Sequence, residues 1–460
     1  MTATTVLPAP PLVRPHPTIE RAGIEPVAPD ARTVRWQDLF SIIINFQINP
    51  GQILVAGMAV AAGLSFWQAV VAQVSGTMVA FLAYVTMATV GVDHGIPGQT
   101  ATRMAFGLRG AKLLPSTLRT IASVYWFGFQ TVAGSLAIVA VLDRWTGTPH
   151  GLLGISLCFG AVQAVVAAIG YNSLKLLSRV ALPVKLLILA WMGYTLLAQP
   201  DPGFRPGAVW RFQQHHAGWV LFAAWFNTAL ATWLTMITDA ADFCRYSRSR
   251  RDMWIGTLLA VLVGILLVSL VGAYAAAATS GRSDNAFEVV AHITGGHLAL
   301  TLILLMVVLD NWTINVLNLY TGGLSLLNVL ERLGRFRATL IVSVVGIALS
   351  AFPSLVHGYS GWIGTMGMFF APLSGVLLAD YLFVRRGTVD VPGLFERSGP
   401  YWYRAGFNPV AIVWTILGFV ASATVIPAWL PVSVGALVLS GAGYLVSMRM
   451  LPPPQGAAAG

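Results

Sequence analysis

The sequence predicts an all-α polytopic membrane protein of about twelve transmembrane helices, and three observations carry that reading. Of the 460 residues, 56% are hydrophobic and only 10% charged, where ordinary soluble domains carry about 25% charged residues. Apolar runs near the ~20-residue length that spans a bilayer follow one another from about residue 36 to about 450. The basic residues fall in alternate connections between those runs, as the positive-inside rule requires of a multi-span chain.

The runs lie at roughly 36–63, 66–92, 115–142, 151–170, 177–198, 216–240, 253–278, 298–325, 338–353, 361–384, 407–427 and 429–449. Alternating them across the bilayer from a cytoplasmic start puts all but four of the 27 Lys and Arg on the cytoplasmic side, the exceptions being Arg144, Arg205, Arg211 and Arg282. Lys185 and Arg119 are counted with the cytoplasmic set. The net charge of +10 is therefore topological, and no nucleic-acid partner is expected. The chain divides into a disordered cytoplasmic tail (1–35), a transport core (36–384), a cytoplasmic loop (385–406), two C-terminal helices (407–450) and a second disordered tail (451–460). The Pro-rich first stretch has no apolar segment beside a basic one, so it does not read as a signal peptide. Cys158 and Cys244 are too few for a disulfide framework and read as packing residues.

The first run is interrupted by Asn49-Pro50-Gly51. Pro50 has no N–H for the carbonyl of Phe46 and its ring clashes there, so the helix must kink or unwind. Backbone groups freed at that depth need protein, ion or water partners. The sixth run carries a comparable weakness, because Thr228, Thr232, Thr235 and Thr238 compete for backbone carbonyls and Asp239 and Asp242 follow closely. If the chain holds two inverted five-helix repeats, these two runs correspond, and paired broken helices point to a transporter's central site.

Three polar constellations lie within the runs. In the third, Trp126 and Gln130 are four residues apart and share a helical face. An indole beside a carboxamide offers a stacking surface and a two-way hydrogen-bonding group, which suits a planar heterocycle. In the sixth, Trp233 and Thr235 sit near mid-depth, with Trp233 able to supply the opposite stacking face. In the eighth, Asn311, Asn315, Asn318 and Gly322 form one stripe, with Asp310 and Thr313 beside it. A carboxylate at the depth of Asp310 costs a few kcal/mol unless paired or protonated, which makes it the candidate for proton or cation coupling.

Other matches carry less. Asn311-Trp312-Thr313 fits a glycosylation sequon but lies inside a span. Asp239 and Asp242 have the spacing of a metal-binding pair, yet Arg245, Arg248, Arg250 and Arg251 follow, and a helix-end salt network is the simpler reading. The eight His fall in tails or near span ends and form no ligand set. No cofactor is expected beyond a coupling Na+ or H+.

The residues also carry a resemblance. Gly95-Ile96-Pro97, the stretch from Arg103 to Gly110, Trp126-Phe127-Gly128-Phe129-Gln130 and Ala241-Asp242-Phe243-Cys244-Arg245-Tyr246 resemble the type-one nucleobase–cation symporter family. So do Trp312-Thr313 through Leu319-Tyr320, Gly375 through Asp380-Tyr381, and Arg385-Arg386-Gly387. The similarity runs from about Gly23 into the loop after the tenth span, and the eighth-span wording is similar to the cytosine-permease branch.

The resemblance implies a leucine-transporter-type fold of two inverted five-helix repeats plus two C-terminal helices, with alternating access around a central site. It implies inward symport of a nucleobase, hydantoin, allantoin or related vitamin with a cation. Trp126 and Trp233 match the aromatics that sandwich the substrate, although cytosine permeases tend to carry Phe at the second. Gln130, Thr235, Asn315 and Asn318 match its polar contacts, and Asn49 lies at the first break. A sodium site would use the carbonyls of Asn45, Ile48 and Asp310 and the hydroxyl of Thr313. Ile314 stands where a second hydroxyl is expected, and losing a hard oxygen ligand weakens a small-cation site. Val316 replaces an acidic residue of cytosine permeases, which argues against cytosine as the substrate. The expected partners are a small heterocycle and the lipid bilayer, with no obligatory protein partner. The expected location is the inner membrane with both termini cytoplasmic. The alternatives are a symporter for a pyrimidine vitamin precursor and an integral membrane enzyme using Asp239 and Asp242; a channel lacks the charge rings or filter sequence it needs.

Overall fold

Apolar chain in hydrocarbon must satisfy every backbone N–H and C=O within its own segment, which leaves helices as the solution for such runs. The computed structural model describes residues 23–450 apart from 170, 214–217, 295, 358, 398 and 428, and over these it is almost wholly helical. Among the described residues, eight helices are long and apolar enough to cross a membrane, or nine when the bent pair Trp36–Gln47 and Pro50–Ala61 counts as one span. Shorter helices over Leu152–Ile169, Arg335–Leu349 and Pro409–Thr424 stand where the fourth, ninth and eleventh spans are predicted.

The first span bends by 51° at its break, and the local sequence explains how. Asn49 is extended and caps the second half, accepting the Gln52 N–H at 2.9 Å, while its amide returns to the Phe46 carbonyl at 2.7 Å. Pro50 takes the first helical position, where its missing N–H is not needed. The sixth span runs over Trp219–Leu234, yields at Thr235 and Met236, and resumes as a short 3-10 turn, Ile237–Asp239, and a last helical turn, Ala240–Cys244. Thr232 and Thr235 donate their hydroxyls to the carbonyls of Thr228 (2.8 Å) and Thr232 (2.6 Å) at that end.

Packing sorts the spans into two groups. The first (36–61), second (Phe66–His94), sixth and seventh (Arg250–Ala278) pack on one another, and the third (Thr117–Thr146), fourth, eighth (His297–Val329) and ninth form the other group. The fifth (Tyr171–Ala198) touches the first and the eighth, and the tenth (Tyr359–Ala379) packs with the last two. The close approaches rest on small residues, as expected where lipid supplies no hydrophobic drive between helices. A Cβ on Gly272 would meet the Ile53 carbonyl group, with the carbonyl carbon at 2.9 Å.

The Arg- and Lys-rich end of the bundle is built further than the sequence reading foresees. Residues 1–22 and 451–460 lie outside the described residues, but 23–35, expected within a disordered tail, are folded against this end. Val27 is buried and donates its N–H to Gly95 at 3.0 Å, and Val34 pairs in both directions with the Tyr246–Arg248 stretch at 2.9 Å. Arg32 adds bonds to the carbonyls of Val27, Val92 and Asp93. Buried Ile24, Val27 and Val34 supply a short apolar edge, and that suffices when the neighbouring helix ends leave carbonyls to satisfy.

Candidate functional site

The two breaks border one cavity of about 480 Å³, within the ~300–1,000 Å³ usual for small-molecule sites. One wall comes from the first and sixth spans (Phe46, Asn49, Gln52, Trp233, Thr235) and the facing wall from the third and eighth (Trp126, Phe129, Gln130, Asn311, Ile314, Asn318). Trp126 is half-buried and stands edge-on to Phe129, ring centroids 5.9 Å apart. Trp233 is seated between Phe81 (5.3 Å) and Phe46 (6.0 Å), and its indole N–H is buried without a hydrogen-bond partner. Two indoles and the amides of Asn49, Gln130 and Asn318 thus line one cavity.

Of the predicted substrate residues, Trp126, Gln130, Trp233, Thr235, Asn318 and Asn49 line the cavity. Asn315 does not. Its amide donates to Gln163 at 2.7 Å and to the Thr131 hydroxyl at 3.0 Å, and its oxygen accepts from Asn318 at 3.3 Å. Helical phase is the reason: Val307, Asn311, Ile314 and Asn318 make the cavity-facing row, and position 315 lies roughly 70° round from the centre of that row, toward the third and fourth spans. Asn315 therefore holds Asn318 from behind.

The predicted cation residues lie behind the same walls, close together. Thr313 donates its hydroxyl to the Asp310 carbonyl at 2.9 Å, and Ile48 is fully buried at the break. Between Asn45 and Asp310 the structure places Lys185 of the fifth span. Its ammonium is 2.6 Å from the Asn45 carbonyl oxygen and 2.9 Å from an Asp310 carboxylate oxygen, and neither side chain of the pair is more than 1% exposed. Lys185 therefore belongs to the interior of the bundle and not to the basic set at its end. The signal was available, since it falls eight positions into the predicted fifth span and a buried acid requires a partner.

Arg119 stands at the basic end, as the sequence reading has it, but is buried there in an ion pair. It is 1% exposed and closes the basic end of the cavity, 2.8 Å from Asp239 and within reach of the Thr235 carbonyl (3.3 Å) and the Thr321 hydroxyl (3.1 Å). The expected salt network of Asp239 and Asp242 with Arg245 to Arg251 is thus replaced in part. Asp239 pairs across to the third span, Asp242 accepts the Gly98 N–H at 2.7 Å, and Arg248 and Arg250 turn to Asp252 and Asp93. Among the described residues no cluster of His, Cys, Asp or Glu could hold a metal ion.

This geometry can be set beside known proteins. Residues 26–446 match the family described as "Permease for cytosine/purines, uracil, thiamine, allantoin". The chain belongs to this permease family. It is a permease of the nucleobase type and not an enzyme. Among its relatives are an allantoin permease of Bacillus subtilis, 26% identical over 95% of this chain and 94% of that one, and a purine–uracil permease of Arabidopsis thaliana, 25% identical over 94% and 74%. A hydantoin permease of Microbacterium maritypicum is 25% identical over 90% and 84%. Among solved structures the fold is that of Mhp1, a nucleobase-cation-symport-1 family transporter. The closed conformation with bromovinylhydantoin bound superposes with a TM-score of 0.81, 23% identity and coverage of 93% and 94%. The inward-facing conformation gives 0.77, with 22% identity and coverage of 95% and 94%.

Proposed function

We propose that this transporter imports a planar nitrogen heterocycle, of purine, pyrimidine, hydantoin or allantoin type, by symport with a proton or sodium and by alternating access around the cavity at the two helix breaks. The observation that carries the reading is the slot itself: Trp126 and Trp233 on opposite walls, with Gln130, Asn318 and Thr235 placed along it. Each aromatic offers a face to a flat ring, and each amide both donates and accepts, so a ring alternating N–H and C=O around its edge would find partners. The relatives named for allantoin, hydantoin and purine–uracil transport support the substrate class.

The Lys- and Arg-rich end would face the cytoplasm of a cell (inner) membrane, with both termini on that side, by the positive-inside rule. The test is a thermal-shift screen of the purified protein against nucleobases, hydantoins, allantoin and pyrimidine vitamins, repeated with Trp126→Ala. A hit that stabilises the parent and is lost in the variant supports the slot. An equal shift in both would refute it.

A further inference from the structure

The residues that the family resemblance assigns to sodium do not fit a sodium ion in this chain. A sodium ion needs several hard oxygens and room between them. Here the Asn45 carbonyl oxygen already receives the Lys185 ammonium at 2.6 Å, and the same ammonium holds Asp310 at 2.9 Å. A metal ion on that oxygen would stand in contact with a fixed positive charge. The Thr313 hydroxyl is turned to the Asp310 carbonyl, and the Ile314 side chain offers no oxygen.

Charge reads the same way as geometry. Lys185 and Asp310 together are neutral in a place with no access to solvent, so an added sodium would leave an uncompensated buried charge, the costly condition in such a site. The fifth span brings the lysine here because its residues face both the first span's break and the eighth span, contacting each.

We infer that Lys185 is a tethered cation that takes the place of sodium in this transporter, tying the broken first span to the eighth, so that heterocycle binding does not depend on sodium. This rests on the proposed heterocycle reading for its substrate but not for its ion. Removing the ammonium has a specific consequence. Lys185→Ala leaves the Asn45 carbonyl, the Asp310 carboxylate and carbonyl and the Thr313 hydroxyl around an emptied space, which is a set of hard oxygens with net negative charge.

The experiment is heterocycle binding and thermal melting of the purified full chain in sodium chloride and in choline chloride at equal ionic strength, for the parent, Lys185→Ala and Lys185→Gln. The parent should show the same melting temperature and the same apparent affinity, within about two-fold, in both salts. In Lys185→Ala, sodium should raise the melting temperature saturably and tighten heterocycle binding about ten-fold, in the usual range for two coupled ligands. Sodium-dependent binding or melting in the parent overturns the inference, and so does a folded Lys185→Ala that ignores sodium. If that variant does not fold, the parent's response decides, with Lys185→Gln, which removes the charge but keeps a side chain in the space, expected to lose the parent's indifference to sodium. Absence of any heterocycle signal would count against the substrate reading only, because sodium-dependent melting still tests the lysine.

Discussion

Asp239→Asn should open the basic end of the transporter. Arg119 and Asp239 face each other at 2.8 Å with side chains 2% and 0% exposed, one from the third span and the other from the resumed sixth, so the pair joins the two groups of spans below the cavity. Removing one partner of a buried ion pair costs about 3–5 kcal/mol because the other charge is left uncompensated. Here Arg119 would keep the Thr235 carbonyl, the Thr321 hydroxyl and the charge of Asp242, with which it makes no direct ion pair, so the low end of that range applies. When the groups separate and water enters, the guanidinium is solvated again, so the cost falls on the closed form alone. A bias of about 3 kcal/mol is a shift of about a hundred-fold in the closed-to-open ratio.

The reporter for that shift is Thr238→Cys in a background lacking Cys158 and Cys244. Thr238 is 1% exposed in the break, where its carbonyl accepts the Gln99 amide at 3.0 Å. Labelling by an impermeant maleimide from the basic side should be slow in the parent and at least ten-fold faster with Asp239→Asn. Adding Arg119→Met, which removes the stranded charge, should return the rate toward the parent. Equal rates in parent and Asp239→Asn would refute the role of this pair.

Asn318→Ala and Asn315→Ala should separate cavity from support. The first should weaken heterocycle binding by about five-fold, one lost hydrogen bond being worth about 1 kcal/mol, while the second, by stranding Gln163 and Thr131, should lower the melting temperature more than the affinity. Gly272→Val places a side chain against the Ile53 carbonyl group and should destabilise the protein by about 1–3 kcal/mol as an overpacked contact, read as a lower melting temperature with normal membrane insertion. Glu331 is partly buried, which opposes its ionisation, but ion pairs to Arg103 at 2.6 Å and Lys112 at 3.1 Å outweigh this and hold its carboxyl below the usual 4.5. Its contribution is therefore full above pH 4.5 and is lost as pH falls through the lower folded value. Glu331→Gln should show less loss of melting temperature over that acid range than the parent.

Much of this architecture was legible because the bilayer imposes it. Twelve apolar runs, a proline after an asparagine in the first, and a threonine ladder in the sixth each act locally, and the helices and breaks stand where those signals place them. Trp126, Gln130 and Trp233 were legible as a set because polar and large aromatic groups within a span need a purpose. What the runs do not encode is helical phase and long-range pairing. Asn315 and Asn318 lie only about 60° apart around the helix, and only packing decides which one meets the cavity. Lys185 and Arg119 looked like ordinary basic residues near span ends until their partners, 125 and 120 positions away, were brought beside them. The stretch from 23 to 35 failed for the opposite reason, since a few buried side chains anchor a segment whose composition reads as disordered.

The most direct test of the account is uptake by the purified protein in liposomes, using radiolabelled uracil, hypoxanthine, allantoin and a hydantoin under an inward cation gradient. The account predicts saturable, gradient-driven accumulation of at least one of these planar heterocycles, abolished by Trp126→Ala. Folded, correctly inserted protein that accumulates none of them, or that does so equally well without Trp126, would contradict it.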